Sequence, residues 1–209
     1  SLHQQCHLVT LPCMGGYFLL CYNSIWELKE MITTKENMCE AAMAMFKESG
    51  FDKVSVNMIC NKLKVTRGSF YHHFESKNDL LLYWFSSQAE KNIAFDMSLK
   101  SPKRILKKHA LDYAKMIEKV GHDFMYYILM AEFELDGKHF YTYLNAEGQS
   151  IDLIRKAIER DEIRSAENAK HLSDAFTAAM IGAIVLWKFE NSRFDIVNKI
   201  ESIFDAVYR

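Results

Sequence analysis

The chain has 209 residues, 49% of them hydrophobic and 25% charged, with a formal net charge of −1. That length buries a real core in one or two domains, and the balance is ordinary for a soluble globular protein. Two prolines and eight glycines are too few to punctuate a meander of short strands, so long helices are expected. Five cysteines, odd in number and without a CxxC pair, suggest neither a disulfide framework nor a zinc site. A reducing cytoplasm is the expected compartment.

The chain opens on Ser1, and residues 8 to 22, LVTLPCMGGYFLLCY, are apolar but interrupted by Pro12 and Gly15-Gly16. They are too short for a membrane span and lack the basic start of a secretory signal. Helical patterning begins beyond Met31. Residues 1–30 are therefore expected to be an upstream extension, non-native or disordered, that adds little to the core function.

Thr33-Thr34-Lys35-Glu36 reads as a capping box on Thr33. Met38, Ala41, Ala42, Met45 and Phe46 then form one helical face, and Gly50 ends the helix. Ser55 caps a second short helix marked by Val56, Ile59, Cys60 and Leu63. The pattern breaks at Lys64-Val65 and restarts with Thr66 as the next cap, which is the layout of a helix-turn-helix. A longer helix is expected to open near Ser76 and run through Leu80, Leu81, Trp84 and Phe85.

On a wheel of 100° per residue, Phe70 and Phe74 point into a bundle, while Gly68, Ser69 and His72 lie opposite and Arg67 and Tyr71 flank them. Gly68 leaves room for close backbone approach. Arg67 can fork onto guanine, and Ser69 can reach a base edge or a phosphate. Tyr71, His73 and Lys77 can donate to phosphates, which sets register without reading sequence. Residues 47 to 77 carry six basic against three acidic side chains, so a basic patch sits on a near-neutral chain.

The string VTRGSFYHHFESKNDLL, with Ala42, Phe46, Gly50, Phe51, Ser55, Val56 and Ile59 before it, resembles the DNA-binding domain of TetR-family (tetracycline-repressor-like) regulators. The resemblance covers roughly 50 residues. It implies that Arg67, Gly68, Ser69 and Tyr71 lie in the major groove and that Ser55, Thr66, His72, His73 and Lys77 touch phosphates. Two positions depart from the family's habit: Cys60 stands where alanine is common, and Lys64 where glycine is common.

After Pro102, Ile105, Leu106, His109, Tyr113, Met116, Ile117 and Val120 run on helical spacing to Gly121. Residues 121 to 145 are crowded with aromatic and Met side chains that suit an adaptable cavity. The family normally carries a ligand cavity here, and Trp84, Tyr113, Met116, Phe124, Tyr127, Phe133 and Tyr141 are its candidates. Glu132 and Asp136 share a helix face and read as a solvated pair. Small and large apolar residues alternate from 175 to 187, and Phe194, Val197, Ile200, Phe204 and Val207 follow on a last helix. Their combined apolar surface predicts a two-fold four-helix interface, as the family's last two helices form, with Phe176, Ala179, Met180, Ala183, Trp187, Ile200 and Phe204 in it.

The expected fold is all-α: an extension (1–30), a helix-turn-helix domain (31–78) and a helical ligand-binding and dimerisation domain (79–209). The expected function is a ligand-responsive DNA-binding regulator, a repressor by family habit, binding a palindromic operator as a homodimer. The alternative is a small-molecule-binding or interaction protein of the same fold without DNA binding. GxSxG, GxGxxG, P-loop and HExxH motifs are missing and the eight histidines show no metal spacing, so neither catalysis nor a metal or cofactor is expected.

Overall fold

A computed structural model describes residues 34–135 and 148–209, together with the backbone of two N-terminal strands. Those strands, β1 (Leu8–Cys13) and β2 (Gly16–Cys21), pair antiparallel with Leu8 opposite Cys21 and Cys13 opposite Gly16. Sequence reasoning took the Gly15-Gly16 step for an interruption. Pro12 and Gly16, both expected to interrupt the run, stand within the paired strands.

Every other described element is helical. The first unit, Ser1–Lys77, holds α1 (Lys35–Ser49), α2 (Val56–Leu63) and α3 (Arg67–His73). Each starts on a hydroxyl cap: Thr34, Ser55 and Thr66 accept the amides of Asn37, Met58 and Ser69 at 3.2, 3.3 and 3.1 Å. Such caps contribute about 1 kcal/mol each. The first cap is Thr34, one residue beyond the expected Thr33, which lies outside the described residues. Gly50 ends α1 at a φ of 90°, where a side chain would strain the backbone. Met38, Ala42, Phe46, Ile59, Phe70 and Phe74 are all buried and form this unit's core.

The second unit, Asn78–Arg209, holds nearly all of α4 (Lys77–Asn92), then α5 (Pro102–Val120), α6 (His122–Glu134), α7 (Gln149–Glu159), α8 (Ala169–Phe189) and α9 (Ile196–Val207). Ser101, Asn168 and Asp195 cap α5, α8 and α9, and Pro102 takes the first turn of α5, where its missing N–H costs nothing. Helix α5 packs on α6, α7 and α9, and α8 packs on α6, α7 and α9. The core between them includes Ile105, Ala110, Ile154, Ala157, Ile163 and Phe204. Helix α8 is long and apolar enough to cross a membrane, but Met180, Ala183, Ile184 and Trp187 are buried against its neighbours, as befits a core helix. Glu132, expected on a solvated face, is only 4% exposed, and Asp136 lies outside the described residues.

Candidate functional site

The joint between α2 and α3 is Lys64, Val65 and Thr66. Lys64 adopts the left-handed conformation (φ 55°, ψ 37°). Its amide donates to the Asn61 carbonyl at 3.2 Å, and the Val65 amide donates to the Cys60 carbonyl at 3.0 Å. This pair of bonds closes a helix in the way glycine usually does, and Lys64 makes the turn at a steric cost of about 1 kcal/mol. Cys60 fits its buried site, and its thiol donates to the Thr66 carbonyl at 3.7 Å, tying α2 to the cap of α3. Burial raises the pKa of that thiol, with Arg67 opposing the shift.

Helix α3 is held by Phe70 and Phe74, which are 0% and 1% exposed. With those rings fixed inward, Thr66, Arg67, Gly68, Tyr71 and His72 are exposed, while Ser69 and His73 are half-buried; Ser55 is exposed at the start of α2. Arg67 lies one turn from Tyr71: its Nη2 donates to the Tyr71 hydroxyl at 3.4 Å and its guanidinium sits 5.7 Å from the ring centroid. The pair costs little to part, so the guanidinium is held on the outer face yet free to move. A Cβ on Gly68 would meet only the Thr66 Oγ1, at an ordinary 3.5 Å.

Lys77 is a correction. It was expected to touch a phosphate, but its Nζ donates to the carbonyls of Phe51 and Val54 at 2.7 and 3.1 Å and lies 4.1 Å from the centroid of the Phe51 ring. Burial lowers its pKa, with Asp52 opposing the shift. The ammonium closes the loop between α1 and α2 and anchors the first residue of α4 to it.

In the second unit, a cavity of about 30 Å³ lies among α5, α7, α8 and α9. Of the ligand candidates, Tyr113 lines it; Trp84, Met116, Phe124 and Tyr127 are not among its walls. Phe133 is 76% exposed, on the outer side of α6, and Tyr141 lies outside the described residues. Sequence reasoning missed the polar part of the lining: His109, Ser150, Ser173 and Thr177. Ser173 and Thr177 stand one turn apart at positions whose neighbours, Leu172 and Met180, are core, and that was the available signal. His109 stacks on Phe95 with centroids 4.1 Å apart and planes 9° apart. Burial, opposed by Asp112 and assisted by Lys108, lowers its pKa to about 4, so the ring is neutral near pH 7. Among the described residues, no group of three or more His, Cys, Asp and Glu could hold a metal ion.

The interface candidates also need correction. Met180, Ala183, Trp187, Ile200 and Phe204 are 0 to 5% exposed within the chain's own core, and Phe176 and Ala179 are half-buried. The opposite side of α8 carries the exposed set: Ala175, Ala178, Gly182, Leu186 and Phe189, with Ile181 and Val185 half-buried between them. Leu186 and Phe189 are 47% and 77% exposed.

A short helix pinned by two buried phenylalanines, its donors outward after a three-residue joint, defines a helix-turn-helix DNA-binding domain. Residues 39–83 match the family model for bacterial regulatory proteins, tetR family. An uncharacterised HTH-type transcriptional regulator of Bacillus subtilis, YerO, is 35% identical over 80 residues, which cover 35% of this chain and 28% of that protein. The chain thus spans about a quarter of the length of the curated relatives it matches in this region. Two solved structures share the fold. Thermus thermophilus FadR, a TetR-family repressor crystallised with lauroyl-CoA, has a TM-score of 0.64 at 15% identity, covering 83% of this chain and 93% of that one. TylP, a TetR regulator from Streptomyces fradiae, has a TM-score of 0.60 at 19% identity, covering 83% and 84%. Residues 39–83 are thus similar to the DNA-binding domain of tetR-family regulatory proteins, and the chain shares the fold of the two regulators.

Proposed function

We propose that the protein is a ligand-responsive, DNA-binding transcriptional regulator that acts as a repressor and grips a palindromic operator as a homodimer. The observation that carries this reading is the division of labour on α3. Phe70 and Phe74 are buried while Thr66, Arg67, Gly68, Tyr71 and His72 face solvent together. Arg67 would fork onto guanine, the backbone at Gly68 would approach the groove wall, and Thr66, Tyr71, His73 and Ser55 would hold phosphates.

One seven-residue recognition helix reads few base pairs, so two must be held in register. The exposed apolar side of α8 supports that second requirement, because Leu186, Phe189 and the small residues between Ala175 and Gly182 suit close packing against the same face of a second copy. Effector binding in the second unit would favour a conformation in which the two recognition helices no longer fit successive grooves. That shift requires the effector to bind the two states unequally.

Selection of bound sequences from a random duplex pool tests the reading. An inverted repeat with half-sites about one helical turn apart supports it. Failure to enrich any sequence, with binding indifferent to salt, contradicts it. Sedimentation of Phe189→Glu against the unaltered chain tests the interface: the variant is expected to be monomeric, and an unchanged dimer would reassign the contact to another face.

A further inference from the structure

The cavity inside the second unit has a lining of marked chemical bias. Leu106, Met180 and Phe204 supply apolar wall, while Ser150 from α7 and Ser173 and Thr177 from α8 supply hydroxyls. Those three side chains are only 7%, 4% and 5% exposed. No Lys, Arg, Asp or Glu is among the described residues that line the space. The one imidazole there, His109, is kept neutral by burial and offers a hydrogen bond rather than a charge.

A carboxylate or ammonium entering such a space gives up its hydration and meets no counter-charge, at a cost of several kcal/mol. A neutral hydroxyl or carbonyl loses far less and can be received by the serine and threonine hydroxyls. As it stands, the cavity of about 30 Å³ has room for about one water. Any larger occupant must displace a wall. Phe176 is the half-buried ring of that wall, resting against Phe204 and Tyr208 at centroid separations of 5.8 and 5.4 Å. Turning it outward would enlarge the space without dismantling a fully buried packing layer.

We propose that this cavity takes an uncharged molecule about the size of a single ring, bearing a hydroxyl or carbonyl recognised by Ser173 and Thr177, with Phe176 as the wall that yields. The inference rests on the effector reading above and narrows it to a ligand class. Entry moves an aromatic wall that touches α9 through Phe204, which gives the two states the unequal affinity that signalling requires.

The test uses the full chain at neutral pH and three probes that share one ring and differ in charge: benzyl alcohol, benzoate and benzylammonium. Calorimetric titration and the thermal midpoint report binding, and anisotropy of a labelled duplex reports DNA affinity. Benzyl alcohol is expected to bind at least about tenfold more tightly than either ion. Thr177→Val, which keeps the shape and removes the hydroxyl, is expected to weaken the alcohol by about tenfold and leave unchanged the binding of toluene, a fourth compound added as the control without a polar group. Ser173→Ala provides the same comparison should Thr177→Val fail to fold. Equal or tighter binding of benzoate or benzylammonium overturns the inference, as does alcohol binding that both variants leave intact. A chain that binds none of the three overturns it too. Alcohol binding that obeys the variants but leaves DNA affinity unchanged upholds the ligand class and removes the sensor role instead.

Discussion

Acid should weaken this fold through His109 in a measurable way. The imidazole lies flat on Phe95, and burial holds its pKa at about 4 against an ordinary 6.5. In the unfolded chain the ring takes a proton near pH 6.5, whereas in the folded chain it resists until about pH 4. Its stabilising contribution is therefore complete above pH 6.5 and is lost as the pH falls from there toward 4. A gap of about 2.5 pH units corresponds to about 3 kcal/mol in full, of which about 2 kcal/mol is lost between about pH 7 and about pH 5. The assay is urea unfolding at those two pH values for the unaltered chain and for His109→Gln. The substitution will cost some stability at both pH values by losing the stack on Phe95, so the informative quantity is the difference between the two drops. The variant should lose about 2 kcal/mol less on acidification than the parent. Parallel losses would mean that His109 is solvated and titrates normally, and the neutral lining of the cavity would fall with it.

Three substitutions in the first unit have defined outcomes. Gly68→Ala places a Cβ at an ordinary distance from Thr66 Oγ1 within a helix, so it should raise stability by about 0.5–1 kcal/mol in thermal unfolding. The same variant should weaken duplex binding, because the added methyl stands on the face offered to DNA; unchanged affinity would remove Gly68 from the contact. Lys77→Ala strips a charged donor from the Phe51 and Val54 carbonyls and should cost about 1–2 kcal/mol, while the slope of log affinity against log salt stays that of the parent. A slope reduced by about 0.9 would restore Lys77 to the phosphates. Lys64→Gly relieves the left-handed backbone at the turn and should stabilise the chain by a few tenths to about 1 kcal/mol. A fall in stability would show that the lysine side chain, rather than the backbone, holds the joint.

What could be read in the residues was mostly local. The Ser55 and Thr66 caps, the Gly50 stop and the inward Phe70 and Phe74 depend on neighbours within a turn or two, and each is where helical spacing puts it. Thr33 and Thr34 offered two registers for one cap, and pattern alone does not choose between adjacent threonines. Lys77 was misread because its partners are 26 and 23 residues back along the chain, and a lysine at a helix start looks the same whether it reaches outward or curls home. The interface residues expected on α8 include ones buried within the chain, for the same kind of reason. That helix has apolar residues all round, so periodicity could not tell the buried Met180 and Trp187 from the exposed Leu186 and Phe189. The cavity's hydroxyls were hidden among aromatic neighbours that looked more like ligand contacts than Ser173 and Thr177 did.

The most direct test compares base preference for the unaltered chain and Arg67→Ala on duplexes drawn from the selected pool, at several salt concentrations. The account predicts steep salt dependence for both proteins and loss, in the variant, of discrimination at one position per half-site worth about 1–3 kcal/mol. A variant that keeps the parent's preference at every position, or a parent that binds all duplexes alike, would contradict the claim that the outward face of α3 reads DNA.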